Sequence, residues 1–123
     1  LLGDMPPVVP TDLFAHLHPI IEDFRSAYTR ALDAVQSRNI PLTTCTIYNG
    51  NFPEPQQAAA STGIALFNDV ISRESRRRNL PVLELRDICS DPVHYANPIE
   101  PSESGGLAIA EAITDAYEST EKS

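Results

Sequence analysis

Two short stretches rich in β-branched residues constrain the fold of this chain more than any other feature. The first, "IPLTTCTIY", spans residues 40–48, and the second, "LPVLELRD", spans residues 80–87. The first is apolar on both faces through Cys45 and Ile47, a pattern typical of a buried parallel strand. A helical pattern at about residues 56–79 lies between the two stretches. The sequence therefore predicts parallel strands at about 41–48 and 81–86, joined by a helical crossover.

Helical patterns also flank the two strands. Apolar residues recur every three or four positions across residues 11–39, and again after Ser102, a residue type that caps helices. Pro19 interrupts the first pattern, so either the helix kinks there or a short helix ends and a longer one begins at Pro19; we expect the second. Two strands make too narrow a sheet to cover three helices. We therefore expect residues 1–123 to be a single partial α/β domain: half of a three-layer α/β/α, flavodoxin-like domain.

Charge and composition exclude several classes of partner. The chain of 123 residues carries a formal net charge of −8, which disfavours binding to a nucleic acid backbone. No apolar run is long enough to span a membrane, and no cluster of His, Cys and carboxylates has metal-ligand spacing. We expect neither a metal nor a cofactor. The run from Arg76 to Arg78 indicates a solvated helix end or, alternatively, a patch that binds anions.

The loops that follow the two strands are where a site is expected, because ligands of open parallel sheets bind beyond the carboxyl ends of the strands. "NGNFPEP" follows the first strand, and its Asn49 and Asn51 are candidate substrate-binding amides or plain turn residues. "ICSDPVHYANPIEP" follows the second strand and contains a third candidate substrate-binding residue, Tyr95.

The second loop and the helix after it resemble a known family. "NPIEPSESGGLAIAEAI", together with "TTCTIYNGNF" and "LPVLELRDICSD", is similar to the second half of an SGNH hydrolase, also called a GDSL-type esterase or lipase. The family's final block is Asp-x-x-His, followed by Pro, Ser, Gly and a helix that contains Ile-Ala. The resemblance implies an SGNH-type α/β/α fold, with residues 1–10 following the family's asparagine block.

The same resemblance assigns candidate catalytic residues. Asn97 stands at the position of the family's aspartate and Glu100 at that of its histidine; His94, in the same loop, is an alternative base. A normal carboxylate holds a proton less tightly than histidine by roughly 3 kcal/mol, which burial would offset in part. Each residue also has a structural interpretation: Asn97 as a turn residue, Glu100 as a favourable charge near a helix start, and His94 as a surface side chain.

Two functions are therefore expected from the sequence. In the first, this chain is the C-terminal part of an SGNH-type serine ester hydrolase that acts on a small-molecule ester. The nucleophilic serine would then lie outside this chain, in a missing N-terminal half, and that half or a partner chain would complete the sheet. In the second, the chain is a non-catalytic binding module of the same type that has lost its triad. The sequence indicates no compartment.

Overall fold

Helices form most of the structure, a computed structural model that describes residues 10–122. The expectation that residues 1–10 follow the asparagine block of the family concerns positions that, except for Pro10, lie outside this range. The long helices have 27, 22 and 20 residues, and between them lie two strands of two residues and two short helices. In chain order the elements are α1 (Pro10–Gln36), β1 (Thr44–Cys45), α2 (Gln56–Arg77), β2 (Val82–Leu83), α3 (Leu85–Ile88), a 3₁₀ helix (Pro92–His94) and α4 (Glu103–Lys122).

The expected half of a three-layer, flavodoxin-like α/β/α domain is wrong. Among residues 10–122 the sheet has only two strands, β1 and β2, and each strand is two residues long. The two strands do pair in parallel, with Thr44 opposite Val82 and Cys45 opposite Leu83. The predicted strands at 41–48 and 81–86 thus contain the observed ones but are several residues too long.

Side chains keep the β-sheet small. The buried Asn68 of α2 accepts a hydrogen bond from the N–H of Ile47 at 2.7 Å and donates one to the Ile47 carbonyl at 2.9 Å. This carboxamide takes the backbone groups that another strand would use. After β2, the Glu84 carboxylate accepts the N–H of Arg86 and begins α3, so Leu85 and Arg86 are helical rather than extended.

The core lies between α1, α2 and the ladder. Val70 and Ile71 of α2 and Leu32 of α1 are buried, and the rings of Phe24 and Phe67 meet edge to face at 5.0 Å. The face of α2 that meets β1 is polar, since the buried hydroxyls of Thr44 and Ser75 share a hydrogen bond of 2.7 Å. Helix α2 is therefore the central element, with α1 on one side and the ladder on the other.

The expected break at Pro19 is also wrong, because α1 continues through this residue. Proline cannot donate to the carbonyl four residues earlier, which here belongs to Ala15. Both residues are exposed, so water can bind the free carbonyl and the helix need not end. Asn39 and Asn79, with φ of 57° and 58°, follow α1 and α2 in the left-handed conformation that commonly ends helices.

Helix α4 stands on the other side of the ladder but does not close onto it. An apolar groove of about 660 Å³ separates Cys45 and Leu83 from Ile113 and Tyr117. Cys45 is therefore exposed, whereas Cys89 is buried near α4. Within residues 10–122, no helix combines the length and the apolar character that crossing a bilayer demands.

Gly105 fixes the approach of α4 to the 3₁₀ helix, and Gly105→Ala tests this contact. A β-carbon at this position would overlap the carbonyl of His94, so we expect a loss of about 1–3 kcal/mol in the free energy of unfolding. Urea denaturation measures it. Gly106→Ala is the matched control, since nothing lies within 4 Å of its β-carbon position; an equal loss in both variants would contradict the close contact.

Candidate functional site

The loops that leave the two strands are bound to each other. The N–H of Asn51 donates to the carbonyl of Pro98 at 2.9 Å, and the Tyr48 hydroxyl donates to the carbonyl of Ile99 at 2.6 Å. The rings of Tyr48 and Tyr95 pack edge to face at 5.5 Å. Both strand exits thus border one region, at the carboxyl ends of the strands.

The second loop is ordered by its own hydrogen bonds. The Asp91 side chain accepts the N–H of Val93, and Tyr95 pairs with Pro101 in an antiparallel bridge. The Ser102 hydroxyl accepts the N–H of Gly105 at 3.2 Å, which confirms the predicted cap of the last helix. The loop therefore presents fixed side chains.

The first loop is held by α2. The Gln57 side chain accepts the N–H of Phe52 at 2.8 Å and donates to the carbonyl of Asn49 at 3.2 Å. Gly50 has φ of +79°, and a β-carbon there would lie 2.7 Å from both the Phe52 ring and the carbonyl of Pro98. Only glycine fits this turn, which brings the two loops into contact.

A polar cleft of about 350 Å³ lies between these loops and the first turns of α2. It is open to solvent and is much smaller than the apolar groove beside α4. Its walls carry amide, hydroxyl, carboxylate and guanidinium groups, contributed by Asn49, Asn51, Gln57, Ser61, Arg86, Ser90, Asp91 and Tyr95. Such a lining suits a small polar ligand better than a long acyl chain.

The structure separates the sequence-predicted site residues into two groups. The candidate binding residues Asn49, Asn51 and Tyr95 all line the cleft, and the Tyr95 hydroxyl donates to the carbonyl of Cys89 at 2.6 Å while it accepts the N–H of Gly50 at 3.3 Å. The candidate catalytic residues do not line the cleft; these are His94, Asn97 and Glu100.

Asn97 forms a side-chain turn. Its Oδ1 accepts the N–H of Ile99 at 3.0 Å and that of Glu100 at 2.8 Å, the geometry of an asparagine that stabilises its own turn. The carbonyl of Glu100 accepts the N–H of Ala96 at 2.9 Å. Asn97 thus fixes the backbone of Glu100, whose side chain stays exposed.

One ring nitrogen of His94 already forms a hydrogen bond with the backbone. Its Nδ1 accepts the backbone N–H of Asp91 at 3.2 Å, closing the capping interaction of the 3₁₀ helix. A neutral imidazole in this arrangement carries its proton on Nε2. This nitrogen is therefore a donor, and general-base action would require the ring to leave its present contact.

Glu84 positions Arg86 at the cleft wall. The Arg86 guanidinium donates from Nε and Nη2 to the two Glu84 carboxylate oxygens, at 2.6 and 2.7 Å. The Arg86 bond, with the Thr46 hydroxyl bond and despite partial burial, lowers the pKa of Glu84 to about 2. The pair is thus ionised at neutral pH, and Arg86 faces the cleft with its charge largely compensated.

Other reactive groups near the cleft are kept in their neutral forms. Burial raises the pKa of the Cys89 thiol, which is only 2% exposed and is a poor nucleophile in this state. Burial also raises the pKa of Tyr95, and negative charge on Cys89 and Tyr48 adds to this effect. Among residues 10–122, no three His, Cys, Asp or Glu side chains come together in a way that would hold a metal ion.

Sequence reasoning missed several polar residues of the cleft, among them Gln57, Ser61 and Arg86. Gln57 and Ser61 are four positions apart at the start of α2, so both lie on one helix face; this spacing was a usable signal. Arg86 was assigned to a strand, and only the early start of α3 turns it toward the cleft.

Comparison of this chain with protein-family models, with curated proteins and with solved structures finds no match.

Tyr95→Phe tests the link between the two loops. The change removes the hydroxyl that satisfies both Cys89 and Gly50, so we expect about 1–2 kcal/mol less stability in urea denaturation. Tyr48→Phe, which loses one exposed hydrogen bond, is the control and should cost less. Equal effects would show that the Tyr95 hydroxyl contributes no more to the link between the loops than the exposed Tyr48 hydroxyl does.

Glu84→Gln tests the ion pair through its pH dependence. The folded-state pKa of about 2 lies below the ordinary value of 4.5, so the stabilisation is complete above about pH 4.5 and is lost as the pH falls toward 2. We expect the free energy of unfolding to fall less over this interval in Glu84→Gln than in the unmodified protein. The exposed Glu111→Gln is the control, and an unchanged acid profile in Glu84→Gln would refute the assignment.

Proposed function

We propose that this chain contributes the final sequence block and one wall of the ester-binding cleft of an SGNH (GDSL-type) ester hydrolase. The observation that carries the proposal is the convergence of both strand exits on one polar cleft, where ligands of parallel sheets bind. The proposal rests on these loops and on the similarity of the final block, and it does not require a three-layer domain.

The cleft suits an ester whose parts are small and polar. Asn49 and Asn51 supply amides beside Tyr95, so they can donate hydrogen bonds to the carbonyl or to hydroxyl groups of a bound ester. The volume of about 350 Å³ fits a short acyl group. The nucleophilic serine would come from polypeptide outside this chain. The same polypeptide would pair with the free edge of β1, where the backbone of Cys45 points away from β2.

Glu100 is the base in this proposal. Its side chain is exposed, and it directly follows Pro98 and Ile99, whose carbonyls bind Asn51 and Tyr48 where the two loops meet. The serine oxygen would attack the ester carbonyl carbon while its proton passes to Glu100; the proton would then reach the departing alcohol, and water would release the acid. Asn97 acts as a positioning residue, because it fixes the Glu100 backbone.

A second candidate is a non-catalytic binding module. It is favoured by the separation of the predicted residues, since Asn49, Asn51 and Tyr95 line the cleft whereas His94 and Asn97 are engaged in local turns. In this case the cleft binds a small polar ligand and releases it unchanged.

Glu100→Gln in the full-length gene product distinguishes the two candidates. With short-chain p-nitrophenyl esters as substrates, we expect kcat to fall by roughly 10²- to 10⁴-fold, the contribution of a general base. Glu111→Gln, exposed on α4, should leave kcat unchanged.

A fluorophosphonate probe provides an independent measurement. Labelling of one serine outside residues 1–123, blocked by the ester substrate, would support the hydrolase. A folded protein that neither hydrolyses esters nor reacts with the probe would eliminate the hydrolase and leave the binding module.

A further inference from the structure

Four arginines converge in a groove of about 570 Å³ between α1 and α2. Arg25 and Arg30 come from α1, Arg77 from the end of α2, and Arg78 from the residue after it. The chain has nine Lys and Arg residues and a net charge of −8, so nearly half of its cations face one groove. This concentration of positive charge in an acidic protein needs a physical explanation.

Part of the explanation is a buried carboxylate. The Glu74 side chain is 3% exposed, and its Oε1 lies 3.1 Å from Nη1 of Arg77 and 3.8 Å from Nη1 of Arg25. A buried carboxylate must be paired, so both arginines compensate Glu74, Arg77 from the same helix and Arg25 from α1 across the helix interface. Arg25 also contacts Glu22 at 3.4 Å.

Arg78 is fixed in a similar way. Its Nη1 donates to Asp33 at 2.7 Å and to Gln36 at 2.8 Å, and its Nη2 donates to the carbonyl of Thr29 at 3.5 Å. The side chain is 17% exposed. This guanidinium is therefore held in one orientation, and it loses little conformational freedom when a ligand binds.

Packing does not account for the remaining N–H donors of the groove, which belong to Arg30 and Arg77. Arg30 is exposed and forms no ion pair or hydrogen bond with another residue of the described part of the chain. Arg77 uses only Nη1 among the five N–H donors of its guanidinium. Three carboxylates, Glu22, Asp33 and Glu74, pair with the four arginines, so one positive charge stays uncompensated.

We propose that this groove is a binding site for an oxyanion, either a phosphate group or a carboxylate. Arg30 and Arg77 bind it with their free N–H groups, and the fixed Arg78 contributes its positive charge, which also offsets the unfavourable C-terminal dipole of α2. The polar cleft begins at Gln57, so most of α2, about 25 Å of helix, lies between the two sites. Binding here is independent of the proposed hydrolase function.

Titration of the chain with inorganic phosphate at constant ionic strength tests the proposal, with nuclear magnetic resonance of the arginine Nε–H groups as the readout. We expect saturable shifts at Arg30 and Arg77. The double variant Arg30→Gln/Arg77→Gln should weaken binding by about three- to tenfold, as expected for exposed charge pairs. Arg30→Gln alone, at an exposed residue without partners, gives the same test without disturbing Glu74.

Arg76→Gln is the matched control. It removes one charge from the same helix, but Arg76 lines a different cleft, so binding should stay within about twofold. Equal weakening by Arg76→Gln and Arg30→Gln, or shifts that never saturate, would overturn the site. A parallel titration with acetate separates the sources: saturation by phosphate alone identifies a phosphate ligand, saturation by both includes carboxylates, and saturation by neither refutes the proposal.

Discussion

The hydrogen bonds of Thr46 are the interaction on which the rest of the structure depends. This residue is 1% exposed, its N–H donates to the carbonyl of Leu83, and its hydroxyl donates to Glu84 at 2.6 Å while it accepts the N–H of Leu85 at 2.9 Å. One side chain thus ends the ladder, caps α3 and orients Glu84. Because a buried polar group without partners is costly, these bonds form together or not at all.

The site follows from this arrangement. Thr46 and Glu84 end the two strands, so the loops after β1 and β2 leave the ladder at the same end. Arg86 is then directed toward the cleft. The loops are then joined by backbone hydrogen bonds and by the Tyr95 hydroxyl rather than by an apolar core. A cleft built in this way is polar and small, and its shape depends on a few buried hydrogen bonds.

Helix α2 organises the charge of the molecule as well as its packing. Its first turns border the polar cleft through Gln57 and Ser61, and its last turn carries arginines that meet the buried Glu74. Arg77 and Arg78 face the groove beside α1, whereas Arg76 faces another cleft. Arg76 thus points away from its two neighbours, so the sequence run "RRR" alone does not show which of the three act together.

Apolar periodicity in the sequence determined the three long helices, and it located the two strands and the helix between them. The helix cap at Ser102 could also be predicted from the sequence, because the start of a helix depends on local chemistry. The substrate-binding candidates Asn49, Asn51 and Tyr95 could be named because loops after parallel strands are confined to one end of the ladder.

Tertiary structure alone decided how far each strand extends and which side chains reach the cleft. The Ile47 backbone groups that a further strand would use are bound by Asn68, 21 residues away in α2, and no local pattern indicates such a distant hydrogen bond. Pro19 stays within a helix because its surroundings are exposed, and Asn97 bonds to its own turn because that loop is held against Tyr48 and Asn51. Periodicity reports which residues are buried, but hydrogen bonds between distant segments fix where the buried chain turns.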